Sequence, residues 1–173
     1  MLLMGVADPH GQKTYLAAAF PSASGKTNFA MLIPPEKYQK AGWKITTVGD
    51  DIVWMWVDPQ TGRVRAINPE AGYFGVVPGT NPQTNRNAYN MIGKDTIFTN
   101  VGVTAGNDPW WEDKGSGQPA IDWKGKPYAK ANGPAAHPNA RFTVSAKQNP
   151  SYSKLAEAPE GVPITALVFG GRR

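Results

Sequence analysis

The chain contains no cysteine, which excludes a disulfide framework and any thiolate zinc site. Histidine is almost as scarce. His10 and His137 are the only two, neither stands at metal-ligand spacing, and both read as structural or solvated. No apolar run approaches the roughly 20 residues of a membrane-spanning helix. The opening MLLMGVADPHG also lacks the basic start and small-residue cleavage site of a signal peptide. A soluble chain in a reducing, cytoplasmic setting is expected. No internal repeat or low-complexity tract is present, and the longest basic cluster, KGKPYAK at 124–130, is too sparse for a nucleic-acid arm. It reads as a solvated loop, so neither nucleic acid nor a membrane is expected as partner.

What is present suits a folded α/β chain. The 173 residues are 40% hydrophobic and 10% aromatic, enough for a core in one domain or part of a larger one. The 19 glycines and 16 prolines are spread along the chain, as turns between short elements would require. The net charge of +5 favours anionic partners such as phosphorylated metabolites. Residues 14–20 predict a buried strand. A helix follows from Thr27, ended or kinked by Pro34–Pro35. The turn DPQTG separates strands at 52–57 and 63–67, whereas 71–88 predicts a long ordered loop. Further strands are expected at 95–103, 140–146 and, buried, 163–171, with the turn-rich segment 106–128 at the surface. Helix is scarce after residue 40, so a mixed twisted sheet is expected rather than a doubly wound fold. The chain ends directly after a strand-like run at Gly170-Gly171-Arg172-Arg173, which reads as an excerpt of something longer.

Within FPSASGKTN (20–28), Gly25, Lys26 and Thr27 end like a phosphate loop. Small-residue backbone N–H groups ahead of a helix converge on phosphate oxygens, Lys26 adds a point charge, and the Thr27 hydroxyl suits a bridging metal. Yet the usual pattern wants glycine where Phe20 stands, and a GKT also occurs by chance. Asp50 and Asp51 follow a strand-like run, where a phosphate-loop enzyme places a metal-holding acid. Adjacent strand residues face opposite ways, so the pair would serve two metals only if Val48–Gly49 twists the backbone. The alternative is an ordinary Asp-Asp turn. Asn139 and Arg141 could together grip a carboxylate, and Arg172 with Arg173 could neutralise polyphosphate; taken alone, either arginine set is more often a surface ion-pair partner.

Taken in order, AAAFPSASGKTN, VGDDIVWM, RAINPEAGYFGVVPGT, DTIFTNV, HPNARF and EGVPITALVFGGRR resemble GTP-dependent phosphoenolpyruvate carboxykinase across essentially the whole chain. The family's loop has Phe-Pro-Ser-Ala where the standard pattern begins with glycine. The resemblance implies a partial C-terminal nucleotide- and metal-binding domain spanning 1–173. It also implies reversible, GTP-dependent conversion of oxaloacetate to phosphoenolpyruvate, GDP and CO2, in gluconeogenesis or anaplerosis. Loss of CO2 leaves an enolate that a metal stabilises as a Lewis acid, and the enolate oxygen then takes the γ-phosphoryl group.

The resemblance further implies Mn2+ at the catalytic site, Mg2+ or Mn2+ with GTP, and a monomeric full-length enzyme. Candidate catalytic residues are Ser24, Lys26, Asp50 and Arg141. Ala23, Ser24, Gly25, Lys26, Thr27, Asn28, Arg141 and Arg172 would bind the nucleotide. Ser22, Asn139, Ala140 and Arg141 would bind substrate, close to Tyr73 and Phe74, while Asp51 and Thr27 would hold metal. Three departures stand out. Ser24 occupies the position of the family's reactive cysteine, so thiol sensitivity should be lost although the chemistry never uses that side chain. The family's lysine and histidine manganese ligands lie upstream of this segment. Its guanine-stacking aromatics, mobile lid and N-terminal substrate arginine also lie outside it. The rival readings are another phosphate-loop small-molecule kinase or phosphatase, a noncatalytic nucleotide- or RNA-binding module, a catalytically incomplete nucleotide-binding fragment, and a chain that does not fold alone.

Overall fold

The computed structural model describes residues 1–21 and 24–171, which form two compact units. The first comprises residues 1–71 together with those from 149 onward, and the second is Gly72–Gln148.

In the first unit, β1 (Leu2–Ala7), β2 (Lys13–Ala19), β3 (Lys44–Gly49), β4 (Trp54–Val57), β5 (Val64–Ile67) and β12 (Val162–Phe169) form one six-stranded sheet. Its order is β3-β1-β2-β12-β5-β4. β12 runs parallel to β2 and antiparallel to β5, so the sheet is mixed, as expected. β1 is buried on both faces because its side chains alternate between two cores. Leu3 joins Tyr15, Ala17, Val48, Ala66 and Val162, whereas Leu2 and Met4 join Ala18 and Ala30. The second cluster packs α1 (Lys26–Ala30) on the sheet. The expected helix is thus only five residues long. Pro34 carries no N–H to extend it, and α2 (Glu36–Lys40) starts separately after Pro35.

The second unit holds two three-stranded sheets. One, ordered β6-β11-β7, is built from β6 (Gly72–Val76), β11 (Arg141–Ser145) and β7 (Thr96–Thr99). The other, ordered β10-β8-β9, is built from β8 (Gly102–Thr104), β9 (Pro109–Trp110) and β10 (Pro119–Ile121). α3 (Arg86–Met91) is capped by Asn85, whose side chain accepts the Ala88 N–H.

Four expectations change. Residues 71–88 are not a loop throughout, since they contain β6 and the start of α3. Glycine hid the strand's alternation: a Cβ on Gly75 would lie 2.4 Å from the Phe142 ring, so a bare Cα is what lets the two strands meet there. The single strand at 95–103 is two, broken at Asn100, which takes φ 58°. The segment 106–128 is not all surface, because Trp111 is buried, stacks on Phe98 and donates Nε1–H to the Thr80 carbonyl at 2.8 Å. Finally, β12 is buried only at its start. Val162 is fully covered, while Leu167, Val168 and Phe169 are exposed.

Candidate functional site

The first turn of α1 and the end of β3 meet in the first unit. Gly25 precedes α1 with φ 90°, a left-handed conformation that only glycine adopts without strain. α1 is tied to the sheet by Thr47, which is fully buried. The Thr47 hydroxyl donates to the Ala30 carbonyl at 2.7 Å and accepts from Asn149 Nδ2 at 3.1 Å.

Asp50 and Asp51 both reach this short helix. Thr27 Oγ1 donates to Asp50 Oδ2 at 2.7 Å, and Lys26 Nζ pairs with Asp51 Oδ1 at 2.9 Å. The aspartates lie just past β3 rather than within it, so strand alternation does not divide them. The backbone irregularity entertained at Val48–Gly49 is present: Leu3 pairs with Gly49 but Met4 pairs with Thr47, leaving Val48 as a bulge. Bulges re-aim the residues that follow. Gly49 itself must be bare, because a Cβ there would come within 2.3–2.7 Å of the Asn68 side chain.

The electrostatics separate the two carboxylates. Asp50 is 4% exposed, and burial, more than the neighbouring charges of Glu70 and Asp51, pushes its pKa up to about 6 against the opposing Thr27 hydrogen bond. Asp51 remains half in solvent, at 55% side-chain exposure. Glu70 is the residue that sequence reasoning passed over, although RAINPEAGYF contains it. Burial first, and the Asp51 charge second, raise its pKa, while the Ile52 N–H hydrogen bond opposes the rise. One Glu70 oxygen, Oε2, is buried with no hydrogen-bond partner among the described residues. Only contact across 20 residues of sequence identifies this third carboxylate.

These hard oxygens are the donor class that Mn2+ and Mg2+ take. They supply part of a coordination sphere: among the described residues no group of three or more His, Cys, Asp or Glu is arranged to hold a metal ion. The donor set therefore fits a divalent cation that draws its remaining ligands from elsewhere.

Among the other candidate residues, the Ser24 hydroxyl is turned onto the Pro21 carbonyl, and Asn28 lies exposed on α1. Ser22, Ala23 and Arg172 lie outside the described residues. Asn139, Ala140 and Arg141 belong to the second unit. There Arg141 opens β11 and donates Nε–H to Asn139 Oδ1 at 2.9 Å, with its guanidinium carbon 5.2 Å from the Phe74 ring centroid. Arg141 and Asn139 therefore engage each other, Phe74 lies beside them, and Ala140 is fully buried beneath. His137 has a structural part: Nδ1 accepts the Asn139 N–H at 3.0 Å, and its ring meets Trp123 edge-on.

A family model described as the phosphoenolpyruvate carboxykinase C-terminal P-loop domain matches residues 1–173. Phosphoenolpyruvate carboxykinase (GTP) of Anaeromyxobacter sp. (strain K) is 58% identical over 176 residues, covering 100% of this chain and 29% of the relative. The enzymes of that name from Chlamydia abortus and Thermoplasma volcanium are 52% and 49% identical over 175 and 174 residues, again covering 100% of this chain. The chain spans 28–29% of the length of these curated relatives.

Proposed function

The chain belongs to the GTP-dependent phosphoenolpyruvate carboxykinase family, and from that premise we propose that it forms the phosphate, metal and carboxylate-binding part of such an enzyme. The reaction is the reversible decarboxylation and phosphorylation of oxaloacetate by GTP. The observation that carries this reading is the pairing of Lys26 with Asp51 and Thr27 with Asp50. A cation and a hydroxyl on one helical turn face two carboxylates, as a metal–phosphate site requires.

Each group has a role its geometry allows. Lys26 exchanges its half-exposed carboxylate partner for phosphate oxygens, which keep its partly buried ammonium paired with negative charge. Asp51 would hold the catalytic Mn2+, while Thr27 would hold the separate metal that accompanies the nucleotide, with Asp50 near it. A bound Mn2+ would supply Lewis-acid stabilisation of negative charge. Ser22 and Asn139–Arg141 would hold substrate, the Arg141 guanidinium taking a carboxylate through the edge that Asn139 leaves unoccupied. Ala23 through Asn28 and Arg172 would surround the nucleotide phosphates. Gluconeogenic or anaplerotic use, a cytoplasmic location and a monomeric full-length enzyme follow from the same reading. No described helix is long and apolar enough to cross a membrane.

The isolated chain should be at best very weakly active, since one protein metal ligand of three is present in the proposed scheme. The test is replacement. The 173 residues are exchanged for the matching segment of the Anaeromyxobacter relative, and GTP-dependent formation of phosphoenolpyruvate from oxaloacetate is measured. The chimera should turn over, and Lys26→Ala within it should abolish turnover. A folded but inert chimera would sink the proposal, as would a fully active Lys26→Ala variant.

A further inference from the structure

Arg141 is reached by a tight run from Ala135 to Ala140, and that run hangs on a side chain 23 residues earlier. The Glu112 carboxylate accepts two consecutive backbone N–H groups, from Ala135 at 2.6 Å and Ala136 at 3.3 Å, the second shared between both carboxylate oxygens. Ala135 and Ala136 are 0% and 1% exposed, so these donors have no water to turn to. Hydrogen bonds to an ionised acceptor in such surroundings are the stronger kind. Glu112 is itself fixed at both ends. Its carbonyl accepts the Gly79 N–H at 3.0 Å, and the adjacent Trp111 is buried and bonded to Thr80.

Beyond Ala136 the run continues in fixed steps. The His137 N–H donates to the Asn100 carbonyl and the Ala140 N–H to the His137 carbonyl. Asn139 is held through its N–H by His137 Nδ1, and in turn holds Arg141 Nε.

We propose that Glu112 is a positioning residue for Arg141, its carboxylate clamping the Ala135–Ala136 backbone so that Asn139 presents the guanidinium in one orientation. That this guanidinium receives a substrate carboxylate rests on the reading given above; the positioning itself does not.

Two readouts on the 173-residue chain keep these apart. In nitrogen-15 spectra, Arg141 Nε–H should exchange slowly in the wild type and about tenfold faster in Glu112→Ala, while the Phe142 and Val144 amides of β11 keep their shifts. Glu112→Gln is the second variant. Its amide offers a single acceptor oxygen and turns an NH2 group toward the Ala136 N–H, so Arg141 Nε–H exchange should quicken there too. Should Glu112→Ala not fold, Glu112→Gln decides. A wild-type Arg141 Nε–H signal in whichever of these variants folds would overturn the assignment. Succinate, a four-carbon dicarboxylate, is the probe for the substrate reading. Its binding should weaken about tenfold in Glu112→Ala. Succinate bound alike by the wild-type chain and Glu112→Ala, with Arg141 Nε–H still coupled to Glu112, refutes the carboxylate role and supports the positioning one.

Discussion

Thr47 is where local sequence and tertiary structure meet most sharply, and Thr47→Val is the substitution that exposes it. Valine matches threonine in shape, so packing is preserved and only the hydroxyl is lost. That hydroxyl is the hydrogen-bond donor to the Ala30 carbonyl. No helical N–H can replace it, because the residue four positions on is Pro34. It is also an acceptor for Asn149 Nδ2. Thr47→Val therefore strands one buried acceptor fully and one donor partly. At about 1–3 kcal/mol for each buried group left unmade, with Asn149 at the low end, the loss is about 2–4 kcal/mol, a large share of an ordinary domain's stability. Thr47→Ser keeps both hydrogen bonds and removes one methyl, at about 1 kcal/mol. Urea unfolding followed by tryptophan fluorescence orders the three proteins, and hydrogen exchange at the Phe29 and Met31 amides, which donate to the Gly25 and Thr27 carbonyls, reports whether α1 loosens. A Thr47→Val protein as stable as wild type, or more stable than Thr47→Ser, would refute the reasoning.

The pH dependence of the metal-free chain follows from Asp50. Its folded pKa of about 6 lies above the ordinary carboxylate value, so the folded state binds the proton more tightly and stability falls as pH rises from about 4 through 6. Asp50→Asn should remove that fall and gain about 3 kcal/mol at pH 8, from the distance between about 6 and the ordinary carboxylate value at about 1.4 kcal/mol per pH unit; urea midpoints with the same pH profile in both proteins would contradict this. Asp51→Asn should weaken Mn2+ binding about tenfold or more, measured by the electron paramagnetic resonance signal of free Mn2+, and unchanged affinity would remove Asp51 from the metal site. Gly75→Ala would set its Cβ 2.4 Å from the Phe142 ring, so β6 and β11 should separate at a cost of about 1–3 kcal/mol. A thermal unfolding midpoint equal to that of wild type would show that the ring has room to move.

Much of this protein could be read from the chain alone. The strands at 14–20, 140–146 and 163–171 announce themselves by short apolar runs between turn residues. The Pro34–Pro35 stop and the GKT-containing loop are equally local. The family resemblance lay in ordered motifs that need no coordinates, and the comparisons agree with it. Local pattern failed where a neighbouring side chain decides the outcome. β6 is hidden because Gly75 makes room for Phe142, and buried Trp111 sits in a segment whose composition says surface.

Only the tertiary structure decides which groups act together. The bulge at Val48 and the docking of α1 bring Asp50 and Asp51 onto Thr27 and Lys26. Burial, which no residue carries in its name, separates the two aspartates electrostatically and adds Glu70 to them. Glu112 reaches two backbone N–H groups 23 residues away. A sequence states which donors and acceptors exist. Their partners, and how much water remains around them, are set by chain closure over long separations, and it is those partners that fix where charge sits.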